Sequence, residues 1–233
     1  MRAFVCAVVV CVSAASAATT TEWLRDEAGA KWTAITTDPF CDDLAAGVLP
    51  NATLARYLTQ DHQFLDAFLV LLASAVARAP SLADRLPGAR FLGLIAGEEN
   101  TYFERSFDAL GLSAAERSPP PRAATKAFID LMTAAARSGE YHSMLAVLVV
   151  AEWSYSTWGE SVAPAPDLAF YHQEWIDLHR GEAFRGVVAY LRGQLDALDL
   201  SAAETAVARL YFLAAVDCER DFWAMARGER SEL

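Results

Sequence analysis

From Thr21 onward, apolar residues recur every three or four positions, and no stretch alternates with the period of two expected of a half-buried strand. Prolines, glycines and short polar links cut this pattern into eight helical segments. Residues 22–36 form the first, ended by Asp38-Pro39, and residues 51–79 a long second one, capped by Asn51 and stopped before Pro80. Leu54, Tyr57, Leu58, Asp61, Phe64, Leu65 and Phe68 share a broad stripe of that helix. Residues 90–110, stopped by Gly111, make the third, and "SPPPRAA" links it to the next. The spacing predicts further helices over 126–137, 141–160, 167–179, 182–198 and 201–228, the last opening on the capping-box pattern Ser201-Ala-Ala-Glu204. Short connections and no internal repeat predict a single-domain, all-α helical bundle, with any pocket lying between helices.

Composition narrows the partners. The 233 residues are 54% hydrophobic, enough for one real core. The formal net charge of −11 and the lack of any basic run weigh against nucleic acid. Residues 1–17 carry an early arginine, an apolar run and Ala15-Ser16-Ala17, the pattern of a signal segment cut after Ala17. This start suggests a secretory or organellar route, with the cytosol expected if the segment is not functional. The remaining 18–233 form the domain, and no other stretch approaches membrane-spanning length without a charge. Losing the segment would remove Cys6 and Cys11, leaving Cys41 and Cys218, too few for a disulfide framework. Asn51-Ala52-Thr53 is also a glycosylation sequon, but the helix cap is the preferred reading.

The chemistry-bearing candidates thin out quickly. None of His62, His142, His172 and His179 follows an acid by three residues, and there is no His-Glu-x-x-His, so no metal or other cofactor is expected. A rival metal- or heme-dependent oxidase would have to gather His62, His172, His179, Glu98 and Glu152. Gly-x-Ser-x-Gly and phosphate-binding glycine loops are absent, and Cys218 reads as a small hydrophobe. There remains a set of acids placed among rings. Asp61 and Phe64, Glu152 and Tyr155, and Glu219 and Phe222 each stand three apart on strongly apolar helices. Glu152 is the sharpest case, because "AVLVVAEWSYSTWGES" would bury its carboxyl at a cost unless something pairs with it. A pocket shared by the three would suit a flat, cationic or amidine-like ring, stacked by aromatics and gripped by a carboxylate. It could also hold two acids of split pKa, one a proton donor and one a base.

These residues resemble the TenA / thiaminase II family. The likeness is carried by "WTAITTDPFCDDLAAGVLPNATLARYLTQDHQFL", "EENTYFERSFDALGLS", "EWSY", "FYHQEWIDLHRGEAF" and "CERDFWAMA". It implies a heme-oxygenase-like helical bundle and an aminopyrimidine aminohydrolase of thiamin salvage. Such an enzyme takes an aminomethyl- or formylaminomethyl-pyrimidine to the hydroxymethylpyrimidine. The resemblance further implies that Asp61 grips the aminopyrimidine edge, with Phe64 and Tyr155 beside it, and that Glu219 is an acid/base. By spacing, Phe128 and His179 fall where many members carry a tyrosine. Typical members place a cysteine nucleophile at the position of Ala151; here Glu152 comes next, as in a branch that uses Glu in place of Cys. The implied partner is a small-molecule aminopyrimidine, with a homo-oligomer as an option. A non-catalytic pyrimidine-binding protein is the other alternative.

Overall fold

A computed structural model describes residues 18–229. Residues 1–17, and with them the signal-like segment, lie outside the described residues. Among those described there is no strand, and no helix is long and apolar enough to cross a membrane. The helices are α1 (Thr20–Ala28), α2 (Ala30–Thr36), α3 (Pro39–Ala46), α4 (Asn51–Arg78), α5 (Leu82–Leu94), α6 (Asn100–Ala109), α7 (Ala114–Arg117), α8 (Ala123–Ser138), α9 (Tyr141–Ser161), α10 (Phe170–Leu178), α11 (Gly181–Asp196) and α12 (Ala202–Arg227). A single π turn, Ile95–Glu99, joins α5 to α6.

Several boundaries differ from the sequence expectation, each for a local reason. The expected first helix is two, because Gly29 sits at φ 52° and ends α1 while opening α2. Asp38-Pro39 stops one helix and starts another: the Asp38 side chain accepts from Phe40 N–H, and Pro39 occupies the first turn. Asn51 is not a cap. It is the first helical residue, Pro50 precedes it, and no side chain caps α4. The third segment begins earlier, at Leu82, where the Ser81 hydroxyl accepts from Asp84 N–H and the helix runs on through Pro87. The sixth begins later, because Asp167 turns into the left-handed region at φ 61°. The Ser201–Glu204 capping box is formed as read.

Helix α9 is the axis of the bundle and packs against α2, α4, α8, α11 and α12. Every residue from His142 to Glu152 is buried, which explains why this helix carries no polar stripe. The stripe on α4 behaves as patterned: Leu54, Tyr57, Leu58, Asp61, Leu65 and Phe68 are buried and Phe64 is partly so. Most of the core is one contiguous cluster of Leu, Val, Phe and Trp side chains. Cys41 is buried and Cys218 half-buried, both as free thiols.

Candidate active site

At one end of the core the helices stand apart around a cavity of about 180 Å³. Asp61 and Phe64 enter it from α4, Phe128 from α8, Glu152 and Tyr155 from α9, His179 from the end of α10, and Glu219 from α12. All seven site residues expected from the sequence therefore meet at one place. Phe222 does not: it lies behind the wall, 5.3 Å from the Phe64 ring. Ala151 also faces the cavity, beside Glu152.

The three acids are enclosed, with Asp61, Glu152 and Glu219 only 5%, 9% and 2% exposed. Burial, then the charge of Glu99, holds the Asp61 carboxyl well above the usual carboxylate range. Glu152 is raised in the same direction, by burial, then Glu99, then Asp61. Glu219 is raised by burial, then by Asp61 and Glu152. Among the described residues no hydrogen bond or cation offsets these shifts, so each carboxyl keeps its bonding capacity for the cavity.

Glu99, the fourth acid, is not among the site residues expected from the sequence, which include only its neighbour Glu98, in the rival metal set. It too lines the cavity, and burial lifts its carboxyl to about 7. The π turn brings it there, since one extra residue in a helical turn rotates the preceding helix relative to the next. Gly93 and Gly97 loosen the helix at this point and are the one hint the sequence offers.

The aromatic walls are fixed by contacts further out. Tyr57 and Tyr155 share a hydroxyl–hydroxyl hydrogen bond of 2.6 Å, and Trp223 stacks on both rings at 5.4 and 5.7 Å. Trp223 is itself tied by its indole N–H, which donates to the Ile35 carbonyl at 3.1 Å. Phe64 and Phe128, which also line the cavity, meet at 5.5 Å. His179 packs among Tyr155, Trp175 and Phe184, and its Nδ1–H donates to the Trp175 carbonyl at 2.8 Å. Burial lowers its pKa to about 4, so the ring is neutral and its Nε2 is an acceptor. Gly159 permits this placement, because a Cβ there would collide with the His179 carbonyl oxygen. The glycine in "TWGES" thus lets the α10–α11 junction close down on α9.

A shallow surface cleft adjoins the cavity and shares Glu98, Asp177 and Leu178 with it. Arg180 is paired with Asp177 at this rim, at 2.5 Å. The rival metal set is not assembled. His62 bonds Asn100 and His172 lies off the cavity, and among the described residues no group of three or more His, Cys, Asp and Glu is arranged to hold a metal ion.

The profile of the TENA/THI-4/PQQC family matches residues 25–229, nearly all of the described chain. The chain belongs to that family. It is similar to two proteins named aminopyrimidine aminohydrolase. That of Helicobacter pylori is 23% identical over 211 residues, spanning 88% of this chain and 97% of that protein. That of Bacillus subtilis (strain 168) is 26% identical over 211 residues, spanning 88% of each. Among solved structures it is similar to a TenA family transcription regulator from Silicibacter sp. TM1040, with 26% identity and TM-score 0.77 over 89% of this chain and 96% of that one. It also matches a TenA homologue from P. horikoshii OT3, with 23% identity and TM-score 0.78 over 91% and 100%. The all-helical fold is therefore that of the TenA homologues.

Proposed function

We propose that this TENA/THI-4/PQQC-family protein is an aminopyrimidine aminohydrolase of thiamin salvage. It converts an aminomethyl- or formylaminomethyl-pyrimidine to the hydroxymethylpyrimidine and releases the amine or amide. The observation that carries this reading is the meeting of Asp61, Glu152 and Glu219, from three separate helices, in one small ring-walled cavity. The names of the two curated relatives point the same way.

The roles come from position. A pyrimidine ring lies between Phe64 and Phe128 on one side and Tyr155 on the other, which suits offset stacking. Asp61 takes the 4-amino N–H and a protonated ring nitrogen through paired charge-assisted bonds. A cationic ring favours ionisation of the surrounding acids, and so offsets the burial and the mutual repulsion that raise Asp61, Glu152 and Glu219. Glu219, held protonated by burial and two acid neighbours, gives its proton to the leaving nitrogen as the C–N bond breaks. Glu152 takes a proton from the water that forms the new C–O bond. Glu152 stands in the branch that uses glutamate instead of a cysteine nucleophile, because Ala151 offers no thiol. Cleavage of thiamin itself is not part of this proposal.

The experiment is a coupled ammonia assay on aminomethylpyrimidine, with the formyl derivative assayed for hydroxymethylpyrimidine in parallel. Stoichiometric ammonia from the wild-type chain is expected. Tight binding of the pyrimidine without ammonia would identify a binding protein instead.

A further inference from the structure

Resting on that reading, we propose that Glu99 is a further proton-handling carboxyl of the site: it pairs with Glu152 to share one proton and passes the proton taken from water out to solvent. Asp61, Glu152 and Glu219 each have a role in the hydrolysis, whereas Glu99 lines the same cavity and has none. Glu99 is also the acid that bears first on Glu152, ahead of Asp61, and the acid that bears on Asp61. It does not figure among the charges acting on Glu219. Glu99 and Glu152 line the same cavity, Glu99 from the π turn and Glu152 from α9.

Its setting suits a relay. Glu99 is the least enclosed of the four acids and comes directly after Gly97 and Glu98, both of which line the adjoining surface cleft. Among the described residues no hydrogen bond fixes its carboxyl. The π turn holds it in this register. The other titratable groups lining the cavity are few. Asp61 stands on α4, Glu152 and Tyr155 on α9 and Glu219 on α12. Asp177, neutral His179 and Asp177-bound Arg180 stand at the α10–α11 junction, with Glu98 on its own turn. None of them supplies an unpaired cation that would lock Glu99 as a carboxylate.

The cycle balances. Water loses a proton to Glu152 and forms the C–O bond, while the C–N bond breaks and its nitrogen takes the Glu219 proton. Glu99 then releases the proton the pair already held to bulk water and takes over the one on Glu152, and Glu219 is reprotonated from solvent, so the pair again holds one proton. Two carboxyls that act on each other in this way titrate as a pair, in two separated steps.

The test measures kcat and KM against pH for the full chain and for E99Q, E99A and E99D, with melting curves to confirm folding. E99Q should lower kcat at least tenfold with KM within threefold. Its acid limb should move to lower pH, because removing the Glu99 charge lets Glu152 ionise more easily. Added formate should restore E99A at least fivefold, and E99D should retain part of the rate. A folded E99Q with unchanged kcat and pH profile overturns the proposal, as does a loss that formate does not rescue and that leaves the limb in place. If the wild-type chain releases no ammonia, the hydrolase reading fails instead. The pair is then decided by carbon-13 NMR of the glutamate carboxyls. Wild type should show Glu152 titrating higher than in E99Q, and an identical Glu152 titration in both would refute the pairing.

Discussion

The chain uses the same carboxylate side chains in two opposite ways. At the exposed starts of α7 and α12, Glu116 and Glu204 accept from Ser113 and Ser201, and these bonds hold their carboxyls below the usual range. In the cavity, Asp61, Glu99, Glu152 and Glu219 find no such donor among the described residues, and all are raised. A cap is a closed arrangement, complete within one turn of helix. The cavity acids are open, and burial makes leaving them open costly. The fold tolerates that cost where a ligand would supply the missing donors and charge.

The contrast can be broken most severely at Glu219. E219Q should lower kcat by about 10²–10⁴-fold with ligand binding retained, since general acid assistance is worth that much; steady-state rates against hydroxymethylpyrimidine binding separate the two. Next comes D61N, which removes the charge from a paired set of bonds. It should weaken hydroxymethylpyrimidine binding by roughly 10–100-fold by calorimetry, from about 1.5–3 kcal/mol for bonds to a charged group.

The open acids also make stability depend on pH. The Glu99 carboxyl titrates at about 7 in the fold, against an ordinary glutamate value of 4.5. The folded state therefore holds the proton more tightly than the unfolded chain, and that contribution is full below about pH 4.5 and lost as pH rises through about 7. Melting curves should show E99Q matching the ligand-free wild type near pH 5 and exceeding it near pH 8 by about 1–3 kcal/mol. Equal pH dependence in the two proteins would contradict the burial of that charge. The smallest effect belongs to a cap: S201A should cost about 1 kcal/mol of stability and leave turnover unchanged.

The architecture was largely legible in the sequence because α4, α9 and α12 carry long, regular apolar spacing. Asp61, Glu152 and Glu219 stood out for the same reason, as acids on faces that would otherwise be wholly apolar. The short helices α3 and α7 were missed, since eight and four residues give too few repeats for periodicity to register. Glu99 was missed because its direction depends on a π turn, and a one-residue change of helical register leaves almost no trace in composition. Tyr57 lies on the α4 stripe and is buried, but its bond to Tyr155 connects positions 98 residues apart, which no local pattern reveals. Phe222 shows the converse, a correct spacing whose ring the bundle turns behind the wall.

Turnover in oxygen-18 water tests most sharply whether these buried acids hydrolyse the exocyclic C–N bond of an aminopyrimidine. One labelled oxygen in the hydroxymethyl group and one ammonia per aminomethylpyrimidine consumed is the predicted result, with both falling together in E219Q. Unlabelled product, or labelled product formed equally fast by E219Q, would contradict it.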